Sequence, residues 1–102
     1  TDTYMFFSND GDDINFHAGG QNMIDLTSGS QSEITFNEAG IDIDFRVEGD
    51  SDTKLFVTNA GTDKVGIGTN TPGEKLEVIG NISASGDIQF NTLTGTINGG
   101  KF

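Results

Sequence analysis

Sixteen Asp and Glu residues in 102 make carboxylate oxygen the main chemical resource of this chain. The acidic turns Asn9-Asp10-Gly11-Asp12-Asp13 and Gly49-Asp50-Ser51-Asp52 crowd oxygen ligands of the kind calcium takes. Neither has the EF-hand spacing, and no bidentate Glu follows at the right place. Residues 19–25, Gly-Gly-Gln-Asn-Met-Ile-Asp, approach the calcium-binding nonapeptide repeat but lack its later glycine and its aspartate position. These segments read as solvated turns. Asp42 and Asp44, at i and i+2, would sit roughly 6–7 Å apart on one face of a strand. That separation suits a glycosidase pair, which also needs a cleft and one raised pKa. An alternating strand face with Arg46 next in line reads instead as a solvent face. His17 is the sole histidine, position 15 is Asn and so denies it a His-x-His partner, and it falls out of phase with Ile14 and Phe16. It reads as a surface or turn-side residue pointing away from their core. Aromatic sugar platforms are scarce, with no Trp and one Tyr. Phe56, between Leu55 and Val57, is the one Phe singled out as out of phase, and it reads as an inter-chain or inter-layer contact. The residues therefore predict no catalytic, cofactor or metal site, and no enzyme.

The elements that would position these groups are short strands. Apolar pairs at i and i+2 recur at Ile14/Phe16, Ile24/Leu26, Ile34/Phe36, Ile43/Phe45, Leu55/Val57, Val65/Ile67, Leu76/Val78 and Ile88/Phe90. Turn-formers separate them, among them Gly19-Gly20, Ser28-Gly29-Ser30, Glu38-Ala39-Gly40 and Asn59-Ala60-Gly61. Short strands at regular spacing with turn signals predict all-β structure. In residues 41–47 the alternation predicts Ile43, Phe45 and Val47 buried and Asp42, Asp44 and Arg46 exposed. Tyr4-Met5-Phe6-Phe7 does not alternate. It reads either as a strand buried on both faces or as a junction with an upstream segment.

A longer period overlies this rhythm. Ile14-Asn15-Phe16 matches Ile43-Asp44-Phe45, Ile24 and Leu26 match Leu55 and Val57, and Ile34 and Phe36 match Val65 and Ile67. The chain divides accordingly into an N-terminal junction (1–13), a first β-repeat (14–42), a second β-repeat (43–71) and a C-terminal β segment (72–102).

The second repeat runs into VGIGTNTPGEKLEVIGNI, residues 65–82. Val65 and Ile67 alternate with Gly66 and Gly68, a strand whose second face carries no side chains and admits another backbone. Thr69 to Gly73 then forms a turn with Pro72 and Gly73 at its centre. A single helical turn is the rival reading, with Thr71 and Glu74 at capping-box spacing. Either way the chain reverses and leaves through Lys75-Leu76-Glu77-Val78.

This pattern, with the run IDFRVEGDSDTKLFVTNAGTDKVGIGT at residues 43–69, resembles one that recurs in bacteriophage tail fibres and related virion fibre proteins. The resemblance covers residues 43–82 well and 14–36 weakly, and it points to an architectural module rather than a ligand. It implies an elongated, intertwined homotrimeric β-fibre, triple β-helix or β-prism-like, located in the virion. Its partners would be its own copies, other fibre or baseplate proteins and, on the alternative reading, a host cell-surface glycan. The implied function is a structural segment presenting a host-recognition tip. The alternatives are a receptor- or glycan-binding adhesin module, or a capsid-attached fibre or decoration protein.

Composition agrees with a structural role. The formal charge of −11, with five basic residues, gives no basic patch for nucleic acid. No apolar run is long enough to cross a membrane as a helix, and without cysteine there is no disulfide frame. Each strand offers about two inward apolar residues, too few for a compact core in one copy. Closing identical chains around an axis removes unpaired edges and pools those residues. That argument predicts an oligomer, and the resemblance supplies the number three. The predicted inter-chain core is the set of eight apolar pairs, with Gly66 and Gly68 as close-packing glycines.

Overall fold

The computed structural model describes residues 2–7 and 12–99. The chain is all-β, with two four-stranded sheets and no helix among the described residues. The first sheet is an antiparallel meander of β1 (Tyr4–Phe7), β2 (Asp13–Ala18), β3 (Gln21–Thr27) and β4 (Glu33–Phe36). Gly19 and Gly20, at φ +58° and +76°, form the two-residue turn between β2 and β3. Positive φ at both central positions lets the turn follow the right-handed twist of the strands, and glycine takes it without strain.

Register sorts this sheet into an apolar and a polar face. Ile14 opposes Phe7 and Leu26, and Leu26 opposes Ile34; Phe16 opposes Met5 and Ile24, and Ile24 opposes Phe36. Side chains alternate along a strand, so these eight residues share one face. The other face holds Tyr4, Phe6, Asn15, Asp25, Thr27, Glu33 and Thr35. Here the Asn22 amide donates to Asn15 Oδ1 at 2.7 Å and the Thr27 hydroxyl to Asp25 Oδ2 at 3.1 Å.

The second sheet contains β5 (Phe45–Val47), β6 (Phe56–Asn59), β7 (Lys64–Ile67) and β8 (Leu76–Val78). β5, β6 and β7 are antiparallel neighbours, whereas β8 runs parallel to β7. The Thr69–Gly73 turn predicts a reversal after β7; instead residues 68–75 carry the chain back to the start of that strand. They form neither a helical turn nor a hairpin. Thr69 Oγ1 accepts the Thr71 N–H, and Glu77 rather than Glu74 reaches back, accepting the Gly73 N–H.

Strand boundaries differ from expectation in five places. Residues 41–44 lie outside any strand, so the strand expected over 41–47 is reduced to β5. Leu55 precedes β6, and Ile88 and Phe90 lie in a stretch without a strand. β1, set off with the N-terminal junction, is the edge of the first sheet, yet it is exposed along its length rather than buried on both faces. β8, set off with the C-terminal segment, completes the second sheet.

The two three-strand units that the repeat pairs, β2-β3-β4 and β5-β6-β7, share antiparallel topology but not register. In the first, apolar pairs oppose one another. In the second, Val57 opposes Arg46 and Gly66, while Phe56 opposes Val47. A one-residue change of phase turns each side chain of a strand over. Phe56 therefore joins Phe45, Val47, Val65, Ile67, Leu76 and Val78 on one face, and Val57 points to the other. The sequence phase at Leu55/Val57 is thus corrected: Phe56 is the in-phase residue of β6.

The molecule is long, at 61 × 31 × 26 Å. Its radius of gyration of 18.7 Å compares with about 13 Å for a compact chain of this length.

Candidate functional site

The best-packed part of the chain is the glycine face of β7. To return to the start of β7, residues 68–75 cross the sheet on the side where Gly66 offers no side chain. The Thr69 carbonyl lies directly over Gly66, within the space a Cβ would need, with Thr69 Cγ2 3.0 Å from that position. The Asn59 amide donates to the Asn70 carbonyl at 3.1 Å, tying the loop to β6. The Gly68 N–H donates to the Lys54 carbonyl at 2.9 Å. Gly68 takes φ +83°, and a Cβ there would meet Ile79 Cβ at 3.3 Å. Two lysines fasten the rim: Lys64 Nζ donates to the Gly73 carbonyl at 3.1 Å and Lys75 Nζ to the Asp63 carbonyl at 2.6 Å. Under this cover lie Val57, 1 % exposed, and Gly66; Pro72 of the loop is buried as well. The backbone over the glycines thus belongs to the same chain.

Val57 is the only buried hydrophobic side chain among the described residues. Of the other core candidates, Ile14, Ile24, Leu26, Ile43, Phe45, Val65, Ile67 and Val78 are half-buried. Phe16, Ile34, Phe36, Leu55, Leu76, Ile88 and Phe90 are exposed, Ile34 to 64 %. The apolar faces of the two sheets meet where Phe36 packs on Phe45, ring centroids 4.4 Å apart, and Phe56 adds an edge contact to Phe45 at 6.4 Å. Ile24 and Ile43 line the same junction, a pocket of about 190 Å³. At the far end of the first sheet, Ile14, Leu26 and Ile34 floor an open groove of about 620 Å³, rimmed by Asp12, Ser28, Ser32 and Glu33. Most of the candidate residues therefore share a broad apolar surface running from Met5 and Phe7 across both sheets, whereas Val57 lies on the opposite face and Leu55, Ile88 and Phe90 lie outside the strands.

The residues singled out for chemistry are dispersed. Asp44 Oδ1 accepts the Ala60 N–H at 2.9 Å, and the Asp42 carboxylate lies 2.9 Å from where a Cβ on Gly61 would sit. Both acids are exposed, as the alternation predicts, but they lie against the turn at residues 60–61 and outside any strand. Val47, predicted buried, is exposed to 40 % because it sits at the end of the edge strand β5. Asp52 Oδ1 accepts the Lys54 N–H at 2.8 Å, fixing its own turn. Residues 9–11 of the first acidic turn lie outside the described residues. His17 sits on the polar face at a bulge, half-buried rather than fully at the surface, with Tyr4 stacked on it at 4.4 Å. Its Nδ1 is sheltered without a hydrogen-bond partner. Among the described residues no three His, Asp or Glu side chains gather as a metal-binding group, and no helix is long and apolar enough to cross a membrane. The chain matches no protein-family model, no curated protein and no solved structure.

Sequence reasoning missed the parallel return loop and the reversed phase of β6. The signal for the first was local: Gly66, free of a side chain, precedes a loop containing Pro72, and such a face can receive the loop itself.

Proposed function

We propose that this chain is a structural segment of a homotrimeric virion fibre, a bacteriophage tail fibre, presenting a host-recognition tip. The observation that carries the assembly is the incompletely covered apolar face of the two sheets, half-buried to exposed, against a single buried hydrophobic side chain among the described residues, Val57. The accessible surface is 8127 Å², whereas a compact monomer of this mass exposes about 5,500 Å². The difference exceeds the ~800 Å² per partner that a stable interface needs. Large exposed apolar patches of this kind mark interaction sites. The number three and the assignment to a virion come from the resemblance of residues 43–82 to fibre proteins.

On this reading the fibre works mechanically. Apolar faces from three chains share one interior, and inter-chain β-structure gives a stiff rod. The acidic exterior limits lateral sticking. No catalytic group is required. The chain's partners are its own copies and neighbouring fibre or baseplate proteins.

Sedimentation equilibrium in native buffer tests the assembly. The expected species is three copies of 10.8 kDa, elongated in a velocity run. A compact, folded species at 10.8 kDa overturns the proposal. Its place in the virion is tested by labelling particles with an antibody to this segment: decoration of a fibre is expected, and decoration of the capsid shell alone refutes the tail-fibre assignment.

A further inference from the structure

After Ile79 donates to the Ile67 carbonyl, the chain enters a different regime. Residues 80–99 are exposed throughout and form no strand. Among the described residues, none of their backbone groups takes part in a hydrogen bond within the chain. Yet residues 88–94, Ile-Gln-Phe-Asn-Thr-Leu-Thr, have the makeup of a strand. Ile, Phe, Leu and Thr suit a pleated surface, and Ile88, Phe90, Thr92 and Thr94 would share one face. The seven residues hold no charge, no Pro and no Gly, the signature of segments that pair with their own kind. Gly86-Asp87 and Gly95, at φ +123°, bound the segment.

We infer that residues 88–94 form an inter-chain β-strand, each copy pairing this segment in parallel register with the same segment of the next copy. The inference rests on the proposed assembly and deepens it by naming a contact. Charge favours this occupant over other edges. Fifteen of the sixteen acidic residues precede residue 81, and Asp87 is the only charged residue between 81 and 99. The free edges of the two sheets carry or adjoin acids: Asp2 near β1, Glu33 on β4, Glu48 after β5 and Glu77 on β8. In a chain of net charge −11, the uncharged segment is where copies approach with least repulsion. A strand has two edges, so each copy can donate to one neighbour and accept from another. Each such pairing removes an unpaired edge.

Two measurements on the full chain test this. In the unaltered protein, amide exchange at residues 88–94 is expected to be slowed roughly a hundredfold relative to an unfolded chain. In Gln89→Cys, a nitroxide marks one position per chain because the sequence has no cysteine. Equivalent positions on paired parallel strands lie about 4.8 Å apart, so strong dipolar broadening is expected, and it should vanish when labelled chains are diluted with unlabelled ones. If the protein sediments as an oligomer but either signal is missing, the inference is overturned while the proposed assembly stands. A folded monomer overturns both.

Discussion

Replacing Gly66 with Ala tests the packing of the second sheet at its tightest point. Gly66 is buried, opposite Val57 on β6 and Glu77 on β8. A Cβ would fall on the Thr69 carbonyl oxygen, with Thr69 Cγ2 at 3.0 Å and the carbonyl carbon at 3.2 Å. A side-chain tip could rotate away, but a carbonyl moves only with its loop. That loop is pinned by Asn59 to Asn70, by Gly68 to Lys54 and by Lys64 to Gly73. Overpacking against fixed backbone costs about 1–3 kcal/mol. A loss of 2 kcal/mol lowers the folded-to-unfolded ratio by roughly thirtyfold. The assay is urea unfolding followed by far-ultraviolet circular dichroism, since the chain has no Trp. Protein concentration must be held fixed, because association shifts apparent stability. Gly86→Ala is the control, because a Cβ there meets nothing within 4 Å, and it should change stability by less than about 0.5 kcal/mol. Adding Thr69→Ala to Gly66→Ala should not restore stability, because the obstructing carbonyl remains. Wild-type stability in Gly66→Ala, or full rescue by Thr69→Ala, would refute the reasoning.

Val57→Ala should lower stability by on the order of 2 kcal/mol in the same titration, since two buried methyl groups are lost beneath the loop. Asp44→Ala should cost about 1 kcal/mol by leaving the Ala60 N–H without its acceptor, whereas the exposed Asp50→Ala should be neutral within error. Raising ionic strength from about 0.01 M to about 0.15 M shortens the screening length from roughly 30 to 8 Å. Copies of net charge −11 should therefore associate more tightly in salt, read as a lower dissociation midpoint in sedimentation. Weaker association in salt would mean that attraction between opposite charges holds the copies together.

Alternation made the first sheet legible. Ile14/Phe16, Ile24/Leu26 and Ile34/Phe36 fall on one face because each pair keeps its phase through turns that preserve it, with glycines at residues 19–20. The second sheet was harder to read because three consecutive apolar residues, Leu55-Phe56-Val57, allow either phase. The choice is made by what each face meets. Phe56 finds Val47 and Phe45, and Val57 finds the space left by Gly66. Tertiary fit decides there, and no count of apolar residues along the chain reveals it. The parallel course of β8 was hidden for a related reason. Thr-Pro-Gly at residues 71–73 signals a change of direction, but not the distance travelled before the next strand pairs. Asp42 and Asp44 are exposed as the alternation predicts, but nothing in their spacing reveals that they lie outside a strand with Asp44 accepting the Ala60 N–H.

The glycine face and the apolar face meet the same shortage of core side chains in opposite ways. A chain with 32 % hydrophobic residues cannot cover four sheet faces. On the Gly66 side the chain covers itself, because a surface without side chains lets a loop lie flat on the strands and satisfies its polar groups through Asn59 and Lys54. The opposite side cannot be closed that way, since Phe45, Phe56, Val65 and Ile67 stand up from the sheet and would hold a polar loop away from its hydrogen-bond partners. What suits such a surface is another apolar surface of the same kind, and copies of this chain carry one. The return loop thus makes the second sheet one-sided, and a one-sided sheet is the building block that a shared interior requires.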